Sequence, residues 1–228
     1  MVIKTLIEAW RSRGAIRHMY DELMEMLRAT QGMFERIGRI LFDGEDPEAV
    51  ASDIYATDVR VNKTERKIRK QIVEHLAVHP TGDVPACLVL MSIVKDAERV
   101  GDYCKNLFEV RSLLGKAVPP DVMTDDIRQI YQRVRDTFEL TRRAIGECDE
   151  EAARAVANAE KPLAHEVDAK VAEIATSEMP ARIAVPRALA LRHMKRIHAH
   201  LANIATSVLQ PVHKLDYLDE GPLRPPKK

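Results

Sequence analysis

At 228 residues, 46% hydrophobic and 31% charged, the chain is too apolar to be disordered and long enough for one large core or two of roughly 110 residues each. Thirty-five basic residues balance thirty-five acidic ones, which argues against the basic surplus of a nucleic-acid binder, and aromatics at 4% suit helix packing better than a β-sandwich. Cys87, Cys104 and Cys148 form no C-x-x-C and read as buried thiols of a reducing cytoplasm, and with no apolar run of about 18 residues and no signal-peptide pattern a cytoplasmic protein is expected.

Residues 1–16 carry Leu6, Ile7 and Trp10 beside Lys4, Arg11 and Arg13, a short amphipathic extension that could fold onto the body, pack on another protein or touch a membrane surface. A first helical segment is predicted from about Arg17 to Phe42, ending at Asp43-Gly44. Asp46-Pro47-Glu48 then offers an N-cap with proline at the first helical position, opening a second segment to His79-Pro80. Asp83-Val84-Pro85 opens a third, which reaches Leu114-Gly115. After the proline-bearing linker 116–123, Thr124-Asp125-Asp126 caps a fourth ending near Gly146. Asp149-Glu150-Glu151 starts a fifth that stops at Ser177–Pro180, and a sixth spans about Val185 to Lys214. Residues 216–228 lack apolar periodicity and read as a disordered tail.

Met194, Ile197, Leu201, Ile204 and Val208 alternate spacings of three and four, which lays one apolar stripe along the sixth segment. The third segment has a wider arc, Leu90, Val94, Ala97, Cys104 and Phe108 with Ile93, Val100 and Leu107 beside them, and so packs against two neighbours. Residues 44–53 and 147–156 both turn into a middle helix at an offset of 103, and residues 98–107 align with 195–204 at an offset of 97. The expected fold is all-α, two tandem three-helix bundles in a six-helix architecture. The first repeat covers 17–116 and the second, degenerate one 122–215. Met19, Met24, Met26 and Met33 read as core filler, and Gly38 and Gly101, inside helical patterns, as points where a neighbouring helix backbone comes close.

The residues that carry chemistry lie between 58 and 106. Glu98 and Asp102 stand four apart, so both carboxylates leave one helix face, where like charges repel. Asp58, Asn62 and Glu65, at i, i+4 and i+7, line one face of the preceding helix. If those faces meet, four carboxylates and an amide converge, a donor set for Mg²⁺, Mn²⁺ or iron. The other reading is a solvated acidic surface paired with Arg99, Lys105, Arg66 and Lys63. No Glu is followed three residues later by His, as ferritin-like di-iron bundles require. No P-loop, nucleotide fingerprint or G-x-S-x-G occurs either, so catalysis is not expected.

The run from Ile54 to Val110, with Asp96-Ala97-Glu98-Arg99-Val100-Gly101-Asp102 and the trailing Asn106 on the third helix and Asp58, Asn62 and Glu65 on the second, resembles the PhoU family. The resemblance extends over roughly residues 17–215. It implies two three-helix bundles and bound metal, often iron, at Glu98 and Asp102 and by extension at Asp58, Asn62 and Glu65. It also implies a regulator of phosphate uptake and phosphate-responsive signalling, acting through metal-dependent protein–protein contacts. Its partners would be a phosphate transporter, of ABC type or sodium-coupled, and a sensor histidine kinase, with membrane contact only through the partner and with homodimer formation. The alternative is a helical interaction or dimerisation module without metal, accessory to a sodium–phosphate cotransporter.

The second half departs from this pattern. Lys195 and Ala199 stand where Glu and Asp would be repeated, and His198 replaces the glycine. Asp168, aligned with Glu65, and Glu160 are the weaker candidates for a second site. His193 and His198 are five apart and His198 and His200 two apart, neither of them a spacing that puts two imidazoles on one helix face, and the three read as solvated or capping residues.

Overall fold

Apolar residues recur at spacings of three and four along nearly the whole chain, and the computed structural model, which describes residues 14–80, 83–114, 122–210 and 212–215, folds each such stretch into a helix. Among the described residues there are six long helices and no strand: α1 (Gly14–Phe42), α2 (Ala51–Val78), α3 (Val84–Leu113), α4 (Asp125–Glu147), α5 (Glu150–Thr176) and α6 (Ala181–Thr206). Of the expected extension 1–16, residues 1–13 lie outside the described residues, as does the tail 216–228, and Gly14 to Ile16 belong to α1, with Ile16 in its buried stripe.

The corners follow local chemistry. Asp46 accepts a hydrogen bond from the Glu48 N–H at 3.0 Å, but it caps a 3₁₀ turn, Pro47–Ala49, and the α-helix proper begins only at Ala51. Between α4 and α5 the backbone reverses at Cys148, whose φ of 54° is left-handed, and Asp149 then accepts from the Ala152 N–H at 2.9 Å to start α5. Helix α6 begins at Ala181, four residues before the expected start. Pro186 marks no helix start there; the helix runs through it, giving up one backbone hydrogen bond. At the other end α6 stops at Thr206 rather than Lys214. The Thr206 and Ser207 hydroxyls bond the carbonyls of Ala202 and Ile204 at 2.7 Å each, and only a 3₁₀ turn, Val212–Lys214, follows.

Helices α1, α2 and α3 pack on one another, as do α4, α5 and α6, giving two three-helix bundles. The bundles join side by side along α3 and α6, the most extensive helix pair in the molecule, and along α1 and α4. One core therefore runs through both. It includes Leu23, Leu27, Phe34 and Ile37 of α1, Val94, Ala97 and Leu107 of α3, and Phe138, Met194 and Leu201 from the second bundle. Each such Leu, Ile or Phe stabilises the fold by roughly 1.5–3 kcal/mol through apolar burial. Met19, Met26 and Met33 are buried and Met24 packs against the same core. Cys87, Cys104 and Cys148 are all buried, and burial pushes the Cys87 thiol up to about 11 and Cys104 higher still. No helix among the described residues is long and apolar enough to cross a membrane.

The helix glycines admit side chains rather than backbone. At Gly38 the ring of Tyr131 from α4 lies directly on the Cα, and an added Cβ would fall 2.0 Å from its hydroxyl oxygen and 2.2 Å from the carbon bearing it. That ring cannot easily move. It stacks on Phe34 at 4.6 Å, touches Phe42 at 5.1 Å and donates to the Phe34 carbonyl at 3.3 Å. Gly101 is fitted more loosely, with Val61 of α2 and Thr30 of α1 at 3.3 and 3.4 Å from the position of a Cβ. We expect Gly38→Ala to cost about 1–3 kcal/mol in urea denaturation through overpacking, despite its better helix propensity. The loss should shrink in a Tyr131→Leu background, and full additivity of the two changes would contradict the contact.

Candidate functional site

The close fit of Val61 against Gly101 brings α2 onto α3, and the polar residues one turn away on each helix meet beside it. Asp58, 6% exposed, receives the Lys105 ammonium on Oδ2 at 3.0 Å. The same ammonium bonds Oδ1 of Asp102 at 3.2 Å, and Arg99 reaches the other Asp102 oxygen, also at 3.2 Å. Glu98 lies 3.7 Å from the Arg99 Nε, while Glu65 on α2 pairs with Arg69 at 2.9 Å.

Electrostatics shows that the two helix faces do converge. Burial first, and then the negative charge of Asp102, Glu65 and Asp58, push the Glu98 carboxyl above its usual range, with Arg99 opposing. For Lys105 burial alone would lower the value, but the hydrogen bonds it donates to Asp58 and Asp102, with their negative charge, outweigh it and hold the ammonium more firmly protonated than usual. Asp58, Glu65, Glu98 and Asp102 thus share one field, with Asn62 on the same α2 face.

The donor chemistry suits a hard cation. Every candidate ligand is an oxygen, and two of them, Asp58 Oδ1 and Asn62 Oδ1, are buried with no hydrogen-bond partner. The present arrangement is not a cage, however. Among the described residues no three His, Cys, Asp or Glu side chains stand as a metal ion would need them. The Lys105 ammonium lies between Asp58 and Asp102 instead. The five residues fit a divalent ion by chemistry, with their oxygens turned toward a lysine. Both sequence readings therefore describe part of the site: the acids converge, and Arg99 and Lys105 pair with them. Arg66 does not, its Nε donating to the Asn62 backbone carbonyl at 3.1 Å.

In the second half the corresponding place is closed by charge. Lys195, in the position of Glu98, bonds Asp168 at 2.6 Å, and Arg192 reaches it at 3.4 Å. The Lys195 hydrogen bond holds Asp168 below the usual carboxylate range. Glu160 is buried on α5, eight residues before the half-exposed Asp168.

The reading of His198 and His200 as solvated or capping residues is corrected by their burial. His198, 1% exposed, takes the place that Gly101 holds in the first half and meets the Thr137 hydroxyl at 3.1 Å. Burial, with Arg133 adding to it, brings its value down to about 4, so it is neutral at pH 7. His200 crosses to the other bundle, its Nδ1 donating to the fully buried Asp96 at 2.7 Å, with Asn203 adding a longer bond at 3.4 Å. Tyr103 stacks on the His200 ring, and Arg196 stands over Tyr103. One signal for this seam exists in the sequence. Asp96 occupies the stripe Ile93, Asp96, Val100, where an apolar residue belongs.

Residues 23–110, the span of α1 to α3 apart from its ends, match the PhoU domain family. A curated relative, the phosphate-specific transport system accessory protein PhoU homolog of Synechocystis sp., is 21% identical over 201 residues, covering 85% of this chain and 88% of its own. The crystal structure of PhoU from Pseudomonas aeruginosa superposes with a TM-score of 0.75 at 24% identity, over 91% of this chain and 98% of that one. The phosphate transport system regulatory protein PhoU from Streptococcus pneumoniae gives 0.72 at 16% identity, over 92% and 97%. The likeness to the PhoU family carried by residues 54–110 is thereby borne out, and the six-helix fold is shared.

Because Glu98 is held above its normal value, its ionisation opposes folding at neutral pH, and the protein is relatively more stable where the group is protonated. Glu98→Gln should therefore raise stability at pH 7, by on the order of 0.5 kcal/mol as for relief of a like-charge i,i+4 pair. The advantage should fade as pH falls through the carboxylate range; an equal gain at every pH would refute the charge argument. Asp96→Ala, which leaves the His200 Nδ1–H without its acceptor, should cost about 1–3 kcal/mol by thermal or urea unfolding.

Proposed function

We propose, from the premise that residues 23–110 are a PhoU domain, that this protein regulates phosphate uptake and phosphate-responsive signalling by docking onto partners, without catalysis. The observation that supports a cation-dependent mode is the α2–α3 face itself. Four carboxylates share one field there, and among the described residues the buried Oδ1 atoms of Asp58 and Asn62 have no hydrogen-bond partner. A bound divalent cation or iron would supply positive charge to a face that is otherwise anionic. The chain's own part is to hold that face rigid: Asp58 and Asn62 are fixed by α2, Glu98 and Asp102 by α3, and Gly101 sets the distance between the helices.

The partners we propose are a phosphate transporter, ABC-type or sodium-coupled, and a sensor histidine kinase, met by a homodimeric protein at the cytoplasmic side of the membrane; the relative's description as an accessory of a phosphate-specific transport system supports the first of them. A second reading, a helical interaction module that needs no metal, is favoured by the Lys105 ion pairs, which already satisfy part of the acidic charge.

One complementation experiment separates these readings. Deleting the gene should raise phosphate accumulation and derepress the phosphate-starvation response, and wild-type protein should restore both. Glu98→Ala/Asp102→Ala should fail to restore them and should carry less metal after purification. Restoration by the double variant at equal metal content would select the metal-free module, and unchanged phosphate accumulation in the deletion strain would refute the regulator itself.

A further inference from the structure

The oxygens around Asp58 are arranged about a cation that belongs to the chain. Lys105 spans both helices, bonding Asp58 on α2 and Asp102 on its own helix. Its three N–H groups leave Asp58 Oδ1 and Asn62 Oδ1 buried and unserved. The charge is also incompletely balanced. Among the described residues the ion pairs of Asp58, Glu65, Glu98 and Asp102 are with Arg69, Arg99 and Lys105, three cations to four carboxylates. A divalent ion in place of the ammonium would cancel the difference.

We propose that Lys105 is a resident counter-ion that occupies the cation position between Asp58 and Asp102 and must swing out before a divalent ion can bind, so that this one side chain sets the affinity of the site. The inference rests on the cation-binding reading above. A route outward exists. The Lys105 side chain is 23% exposed and the Asp58 side chain 9%, so the lysine is the more solvent-accessible member of the pair. The second bundle shows that this fold accepts a lysine as the neutralising group at the corresponding helix pair. Lys195 holds Asp168 at 2.6 Å, and Arg192 adds a second cation to the same acid at 3.4 Å. The first bundle keeps its surplus of acid, and so retains a reason to exchange its ammonium for a doubly charged ion.

The test is a Mn²⁺ titration of the full chain, followed by electron paramagnetic resonance of the free ion, for wild type, Lys105→Met and Glu98→Ala/Asp102→Ala. Removing a positive charge next to the ligand oxygens should tighten Mn²⁺ binding by about tenfold or more at low salt, and by less as salt screens the field. In parallel, acetylation of Lys105 in the wild type, read by mass spectrometry, should rise when Mn²⁺ is added, because the amine is released to solvent. Where Lys105→Met folds, judged by circular dichroism, its affinity decides; where it does not, the labelling decides. Suppose wild type binds Mn²⁺ and loses it in the double variant, while Lys105→Met binds no tighter or the labelling stays flat. Then the counter-ion proposal is overturned and the cation site survives. If neither wild type nor Lys105→Met binds more than the double variant, the cation reading falls and the proposal with it.

Discussion

Helix α3 is enclosed on three sides, by α1, by α2 and by α6, and most of what the molecule does follows from how little of it remains free. Its apolar arc is consumed by packing, so any charge it carries is either expelled to one narrow edge or buried against a specific partner. Both happen. Glu98, Asp102 and Lys105 lie on the edge facing α2, and Asp96 is buried on the side facing α6 with His200 as its partner. The candidate site is thus a by-product of core geometry. Gly101 lets Val61 approach, and the polar residues next to that contact cannot avoid one another.

The two bundles show what happens when the same scaffold is given different charges. In the first, an excess of acids is confined beside a glycine contact. In the second, a lysine stands on an acid, and an imidazole fills the glycine's place against Thr137. The helices pack in both, once with Val61 against Gly101 and once with the buried His198 against Thr137. The electrostatic outcome differs completely. One half is left with unsatisfied carboxyl oxygen, whereas Asp168 in the other is held by Lys195 and Arg192.

Helix number, order and the paired bundles were legible because apolar spacing of three and four is a direct imprint of helix geometry, and because Asp149 announced its cap. The meeting of Asp58 with Asp102 was legible too, since residues at i, i+4 and i+7 share a face and a short connection forces neighbouring helices to run antiparallel. Lys105 was visible only as one cation among four nearby. Its choice of Asp58 over solvent depends on an interhelix distance that no local pattern encodes. The histidines were misread for a related reason. Spacing along α6 tests whether two imidazoles face one another, yet the partners of His198 and His200 are Thr137 and Asp96, on α4 and α3. The start of α6 shifted because a proline biases a helix boundary without dictating it, and its end because the Thr206 and Ser207 hydroxyls bond the last turn.

The aromatic plate made by Phe34, Phe42, Tyr131 and Phe138 joins α1 to α4, while α3 and α6 are clamped by a buried acid and an imidazole. A hinge between the bundles would have to unstack rings and strand a charge at once. The half that lacks the acidic face therefore serves as a buttress. It can drift in its surface chemistry, as Lys195 illustrates, so long as its shape keeps supporting the wall against which the other half is built.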